Sequence, residues 1–249
     1  MYRYSNKDNL LGKIKVYFNL LFTSFKYKIY LPNKTDKDII ESFHKLYFQY
    51  YKFLNLGPTL PIKWMGFESF KSPLDLWIFQ EIINEDNIDL IIETGTRAGG
   101  SALFYANIFD LKKKGRVISV DISNKKNKRT LPKHKRIKYI QGSSVSDNVI
   151  DIVKSNIKEA KNIMVTLDSD HAYGHVKREI DLYHHFVTKK KYLIVEDTHL
   201  SGHPIGKKEK KGPYEAVMEF IKKNKDFKID KSKEKFMLTS NPNGYLKKN

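Results

Sequence analysis

Apolar positions along this chain follow two patterns. Between residues 70 and 200, short unbroken apolar runs alternate with longer stretches in which apolar residues recur every three or four places. Runs such as LII at 90–92, VISV at 117–120, IMV at 163–165 and YLIV at 192–195 suit strands buried on both faces of a parallel sheet. The stretches between them suit crossover helices. Leu103, Ile108 and Leu111 have helical spacing with Gly115 as a stop, and HVKREIDLYHHFV at 175–187 has the length that a right-handed crossover requires. A helix at 148–155 and another from Pro213 complete the alternation.

Upstream, the pattern predicts a helix over 35–56, with Ile39, Phe43, Leu46 and Tyr50 in phase and Gly57-Pro58 closing it. A second helix opens at Ser72 as N-cap with Pro73 at its first position, and Asp75 completes a start like a capping box. Leu74, Trp77, Ile78 and Ile82 form its apolar face, and Trp64 and Trp77 are expected in the core. Downstream, FKID at 227–230 and FMLTS at 236–240 read as a hairpin, for about seven strands in all.

Each buried run ends in chemistry. The run at 90–92 continues as ETGTRAGGS, an acid followed by a glycine turn into a helix. Such a turn presents bare N–H groups at the carboxyl edge of the sheet, where open α/β folds bind ligands. The order Glu93-x-Gly95-x-x-x-Gly99-Gly100, with no lysine after it, is neither the dinucleotide nor the P-loop pattern. An acid before the first glycine would repel a pyrophosphate and favour a ligand with a positive amino-acid end, of which S-adenosylmethionine is the common example. RVISVD then ends on Asp121, 28 residues after Glu93, where nucleotide-binding domains place a carboxylate on the ribose hydroxyls. The next strand ends in Gly142-Ser143-Ser144, placed to meet an adenine or to cap the following helix.

The last two parallel strands end in paired acids: Asp168 and Asp170 with His171, then Glu196 and Asp197 with His199. Adjacent strands would gather these carboxylates at the edge that holds the glycine turn, a crowding that is costly unless a cation neutralises it. Oxygen ligands point to a hard ion, Mg²⁺ before Ca²⁺ or Mn²⁺. His171 and His175 are spaced as a zinc pair, yet HAYGH lacks the glutamate of a hydrolytic site, and the absence of any H-x-[DE] argues against a facial-triad iron oxygenase. The polar loop 198–212 after the cluster suits a lid.

The 249 residues carry a formal charge of +18 but only six arginines among 46 basic residues, so the lysines read mostly as solvated surface rather than as a nucleic-acid face. With no cysteine, thiolate chemistry is excluded. Residues 10–31 mix aromatics with lysines and are too short in uncharged run to span a bilayer; they suit a packed helix, an oligomer contact or a basic segment on anionic lipid.

Taken in order, KSPLDLWIFQE, ETGTRAGGS, VDI, GSSVS, LDSDH, YLIVEDT, GPYEAV and FMLTSNPNGYL resemble the cephalosporin hydroxylase and rhamnosyl O-methyltransferase family of class I S-adenosylmethionine-dependent methyltransferases. The resemblance runs from about Phe43 to Leu246, with residues 1 to about 40 outside it, and implies a Rossmann-like α/β fold of about seven strands with the last antiparallel and helices on both faces; the expected domains are a helical N-terminal extension at 1–70 and a methyltransferase domain at 71–249. It implies a cofactor site of Glu93, Thr94, Gly95, Gly99, Ser101, Asp121, Ser143, Ser144 and Asp168, and Mg²⁺ held by Asp168 or Asp170 with Glu196 and Asp197. His171 and His199 are the candidate bases. Metal-assisted O-methylation of a sugar or polyol-like natural product is the expected reaction. An oxidative enzyme, as the hydroxylase label suggests, and a basic binding module are the rivals. The expected substrate is a small molecule or glycan and not nucleic acid, in a cytoplasmic protein with homo-oligomerisation and membrane contact left open.

Overall fold

The computed structural model describes residues 34–56, 62–122, 131–208 and 210–249. The segment 10–31 and its three readings lie outside the described residues. Contacts divide the chain into Met1–Tyr50 and Tyr51–Asn249. Among the described residues no helix is long and apolar enough to cross a membrane.

Helix α1 (Asp36–Leu56) starts on a reciprocal cap: Asp38 N–H donates to Thr35 Oγ1 at 3.3 Å and the Asp38 carboxylate accepts from Thr35 N–H at 3.1 Å. Ile39 and Phe43, expected on an apolar face, are exposed.

The larger unit begins with a ribbon of β1 (Lys63–Trp64) and β2 (Phe67–Glu68), followed by α2 (Pro73–Glu85), β3 (Leu90–Thr94) and α3 (Gly100–Leu111). Then come β4 (Arg116–Asp121), β5 (Ile137–Gln141), α4 (Asp147–Asn156), β6 (Ile163–Leu167), α5 (Tyr173–Tyr183), β7 (Tyr192–Val195), α6 (Pro213–Lys223), β8 (Phe227–Ile229) and β9 (Tyr245–Lys248). Strands β3 to β9 form one sheet in the order β5-β4-β3-β6-β7-β9-β8, parallel from β3 to β7, with β9 antiparallel to both neighbours. Chain order reverses between β3 and β6, which opens a crevice at their carboxyl ends.

The unbroken apolar runs follow from burial on both faces. Leu90, Ile92, Ile118 and Val120 pack with Val149 and Val153 of α4, Ile180 of α5 and Val217 of α6. Ile91, Val117, Met164 and Ile194 face the other way, against Phe79 and Ile82 of α2 and Ala106 and Phe109 of α3. Each fully buried aliphatic side chain contributes about 1.5–3 kcal/mol.

Three sequence expectations change. FMLTS is not a strand; the partner of β8 is β9, beginning only at Tyr245, because a 3₁₀ turn at Lys231–Glu234 and a loop intervene. Ser72 makes no side-chain cap bond, and Asp75 closes no capping box. Instead, the Asp75 carboxylate accepts from Thr239 Oγ1 at 2.5 Å, Ser240 N–H at 2.9 Å and Tyr245 O–H at 3.0 Å, tying α2 to the last strand. Trp77 is 59% exposed, its indole N–H donating to Glu81, whereas Trp64 packs edge-on against Phe104.

Candidate active site

The turn after β3 is built for glycine. Gly95 has φ +92°, and a Cβ there would lie 1.9 Å from the Asp168 carbonyl oxygen, so the ends of β3 and β6 meet through a bare backbone. Gly99, at φ +75°, starts α3, while Gly100 sits under the ribbon, where a Cβ would lie 2.3 Å from the Glu68 carbonyl oxygen. Between them Arg97 N–H donates to Asp121 Oδ2 at 2.7 Å, and the Arg97 guanidinium lies 3.3 Å from the centre of the Phe70 ring.

Glu93 lies beneath this turn, fully buried. It accepts from Ser119 Oγ at 2.7 Å, and Ser119 in turn accepts from Thr96 Oγ1 at 2.6 Å. Burial pushes the Glu93 carboxyl above its ordinary pKa, opposed by Lys71 and by the hydroxyls of Ser101 and Ser119. Thr94 closes the register to the next strand, its carbonyl accepting Asp168 N–H at 3.0 Å.

The second half of the edge gathers the acids of β6 and β7. Asp168 and Glu196 do not face each other bare: Lys71 Nζ, from the segment before α2, donates to Asp168 Oδ2 and to both Glu196 oxygens, each at 2.7 Å. Thr166 Oγ1 donates to Glu196 as well. Burial works against the Lys71 charge, but Asp168 and Glu196 outweigh it and hold its pKa well above the usual value. Asp197 has φ +55° and its N–H donates to the buried Asn241 side chain at 3.0 Å. Burial raises the Asp197 carboxyl to about 6, against the pull of His171. His171 Nε2 lies 3.2 Å from Asp197 Oδ2 and His199 Nε2 lies 3.6 Å from Asp197 Oδ1. Burial drives His199 down to about 3, so it stays neutral.

Asp168, His171 and Asp197 each offer a ligand atom within 4.8 Å of the others. Two carboxylates and one imidazole fit a divalent cation. Asp170 is outside this group, its Oδ1 accepting Ala172 N–H at 2.8 Å in a local turn, although it lines the same cleft. His175, the other half of the zinc spacing, binds Ser144 and Ser169 instead.

A cleft of about 550 Å³ runs along this edge. It is lined by Gly95, Ser101, Asp121, Ser143 and Ser144 at one end and by Asp168, Asp170, His171 and Asp197 at the other. Glu93, Thr94, Gly99, Glu196 and His199 do not line it; they stand behind its wall. Lys71, Phe70 and Arg97 do line it, and none was expected from the sequence. One lysine among so many carries no signal of its own; KSPLD marked only a helix start. The loop after β7 folds back on itself through Gly202 N–H to the Ile205 carbonyl at 2.7 Å and is fastened to α6 by His203 and Glu215, 2.7 Å apart.

Among known proteins, a rhamnosyl O-methyltransferase of Mycobacterium bovis (strain BCG / Pasteur 1173P2) is 32% identical over 248 residues, covering 98% of each chain. One from Mycobacterium leprae (strain TN) is 36% identical over 230 residues, 91% of this chain and 96% of its own. The apo structure of CmcI superposes with a TM-score of 0.56 at 19% identity, and the Mg-SAM structure of CmcI with 0.56 at 16%, each over 76% of both chains, a likeness of fold. The family model for rhamnosyl O-methyltransferase/CmcI matches residues 59–249, and the chain belongs to that family and is an O-methyltransferase.

Proposed function

We propose that this enzyme transfers the methyl group of S-adenosylmethionine to a hydroxyl of a sugar or polyol-like natural product, assisted by Mg²⁺. The observation that carries this reading is the single cleft joining the glycine turn and Asp121 to the Asp168–His171–Asp197 group. A donor seated on the turn and an acceptor hydroxyl at the acids would share one space. The relatives named rhamnosyl O-methyltransferase support the acceptor class, and the Mg-SAM structure of CmcI supports the donor and the ion.

In this reading Asp121, held by Arg97 N–H, receives the ribose hydroxyls, and Ser143 and Ser144 border the adenine. Glu93 acts from behind the wall: it fixes Ser119 and Thr96 and so the shape of the turn, and its buried charge favours the positive end of the donor. Of the Asp168–His171–Asp197 group, the two carboxylates would hold the ion with Glu196, since Mg²⁺ prefers oxygen ligands and this leaves the His171 imidazole as a base, and a bound Mg²⁺ would supply Lewis acidity at the acceptor oxygen. His171, paired with Asp197 and lining the cleft, takes the acceptor proton; His199, neutral and buried, lies 3.6 Å from the other Asp197 oxygen. Positioning supplies roughly 7–11 kcal/mol of the barrier and a general base about 10²–10⁴-fold in rate, so loss of the acids outweighs loss of the histidine.

The test is turnover with rhamnose-bearing acceptors, with and without EDTA. Methyl transfer that stops in EDTA and returns with Mg²⁺ is the expected result; full activity in EDTA removes the ion from the reaction, and transfer to no sugar acceptor removes the acceptor class.

A further inference from the structure

Lys71 stands where three carboxylate oxygens converge. Its ammonium, 4% exposed as a residue, is 2.7 Å from Asp168 Oδ2 and from both oxygens of Glu196, acids that the proposed function assigns to the ion. A divalent cation drawing on Asp168 and Glu196 therefore meets an ammonium already in place, and the two cations repel each other at contact distance, so one weakens the hold of the other.

The surroundings supply a second berth. The Tyr105 hydroxyl and Glu93 Oε1 are fully buried and have no hydrogen-bond partner among the described residues. Both stand close to Lys71: the Phe79 ring lies 5.9 Å from the Lys71 ammonium and 5.5 Å from the Tyr105 ring, and Glu93 pairs across the sheet with Thr166, which donates to the Glu196 carboxylate that Lys71 binds. Orphaned buried acceptors are rare and call for a partner. A lysine has four single bonds on which to turn, so its ammonium can change partners without moving the backbone.

We propose that Lys71 is a displaceable internal counter-ion, holding Asp168 and Glu196 together until a divalent ion takes them and then turning to Tyr105 and Glu93. This rests on the Mg²⁺ reading above and adds a positioning residue to it. It explains how such an acid cluster folds before metal arrives: the crowded charge is neutralised from within. It also links the two ends of the cleft, because Glu93, under the donor turn, gains a cation when the ion binds at the acids. Metal binding is thus a competition, and wild-type affinity is lower than the donor set would give alone.

The experiment is a titration of the full chain with Mn²⁺, read by the loss of the free-ion paramagnetic resonance signal, with S-adenosylhomocysteine binding measured in parallel. Lys71→Met, which keeps the length and removes the charge, is expected to bind Mn²⁺ at least tenfold more tightly than wild type, and its melting temperature should fall in EDTA and recover in Mg²⁺. Wild type should melt nearly alike in both. Tyr105→Phe, which removes one of the two groups of the second berth without cutting any hydrogen bond present among the described residues, is expected to bind Mn²⁺ about threefold more weakly. Should Lys71→Met fail to fold, Tyr105→Phe decides alone. Mn²⁺ affinity that is unchanged or weaker in Lys71→Met, or unchanged in Tyr105→Phe, overturns the counter-ion. Absence of Mn²⁺ binding from every form, with S-adenosylhomocysteine still bound, overturns the metal reading itself and this proposal with it.

Discussion

The two halves of the sheet's carboxyl edge neutralise their acids differently. At the β3–β4 half, Glu93 and Asp121 stand apart on neighbouring strands, and hydroxyl and backbone donors within 30 residues bind one oxygen of each: Ser119 Oγ to Glu93 Oε2 and Arg97 N–H to Asp121 Oδ2. At the β6–β7 half, Asp168, Glu196 and Asp197 crowd one spot and draw on distant chain. Lys71 comes from 97 and 125 residues away, and Asn241 from 44. The first half is a local motif that serves a ligand through its backbone. The second is a tertiary assembly whose charge balance depends on elements far apart in sequence, and it is there that chemistry is placed.

Substitutions can break this contrast. The largest effect is expected from Asp197→Ala, which removes an acid of the tertiary half: turnover should fall about 10²–10³-fold, some 3–4 kcal/mol of barrier, while S-adenosylhomocysteine still binds by calorimetry. Loss of both together would mean that the halves are not separable. Gly95→Ala acts at the junction, where the new Cβ meets the Asp168 carbonyl; a stability loss of at least ~2 kcal/mol and loss of donor binding are expected by thermal melting and calorimetry. A variant that melts and binds like wild type would show that the turn has room to spare.

Asp75→Ala probes a long-range tie of the second kind, since it strands Thr239, Ser240 N–H and Tyr245 O–H. We expect a cost of about 3 kcal/mol, near 10 °C in Tm, with intact donor affinity in the folded protein. An unchanged Tm would assign no weight to the tie.

The smallest effect is in pH dependence. His199 is lowered from 6.5 to about 3 by burial, so the unfolded chain takes up a proton that the native state refuses. Stability therefore falls as pH drops from about 6.5 towards 3. His199→Gln should flatten that part of the Tm-against-pH curve relative to wild type, and an identical slope would put the burial of His199 in question.

Much of the first half could be read from the chain. Glu93, Gly95 and Asp121 announce themselves because strand, turn and helix are contiguous and each demands particular residues: continuous apolar runs for a sheet covered on both faces, glycine where φ is positive and a Cβ would strike backbone. The parallel order and the antiparallel last strand were likewise legible in the alternation of runs and in the family motifs. Asp168, Glu196 and Asp197 were visible as acids at strand ends, for the same reason.

What neutralises them was not. Lys71, Thr166 and Asn241 look like any lysine, threonine or asparagine until the sheet closes, and Asp75 looks like a helix-cap residue until β9 arrives beside it. Trp77 has the spacing of a core residue but points to solvent, because α2 packs through Phe79 and Ile82 instead. Local patterns settle what depends on neighbours within a turn or a strand. Charge compensation and the choice of which helix face is buried depend on partners a hundred residues away, and only the folded chain brings those partners together.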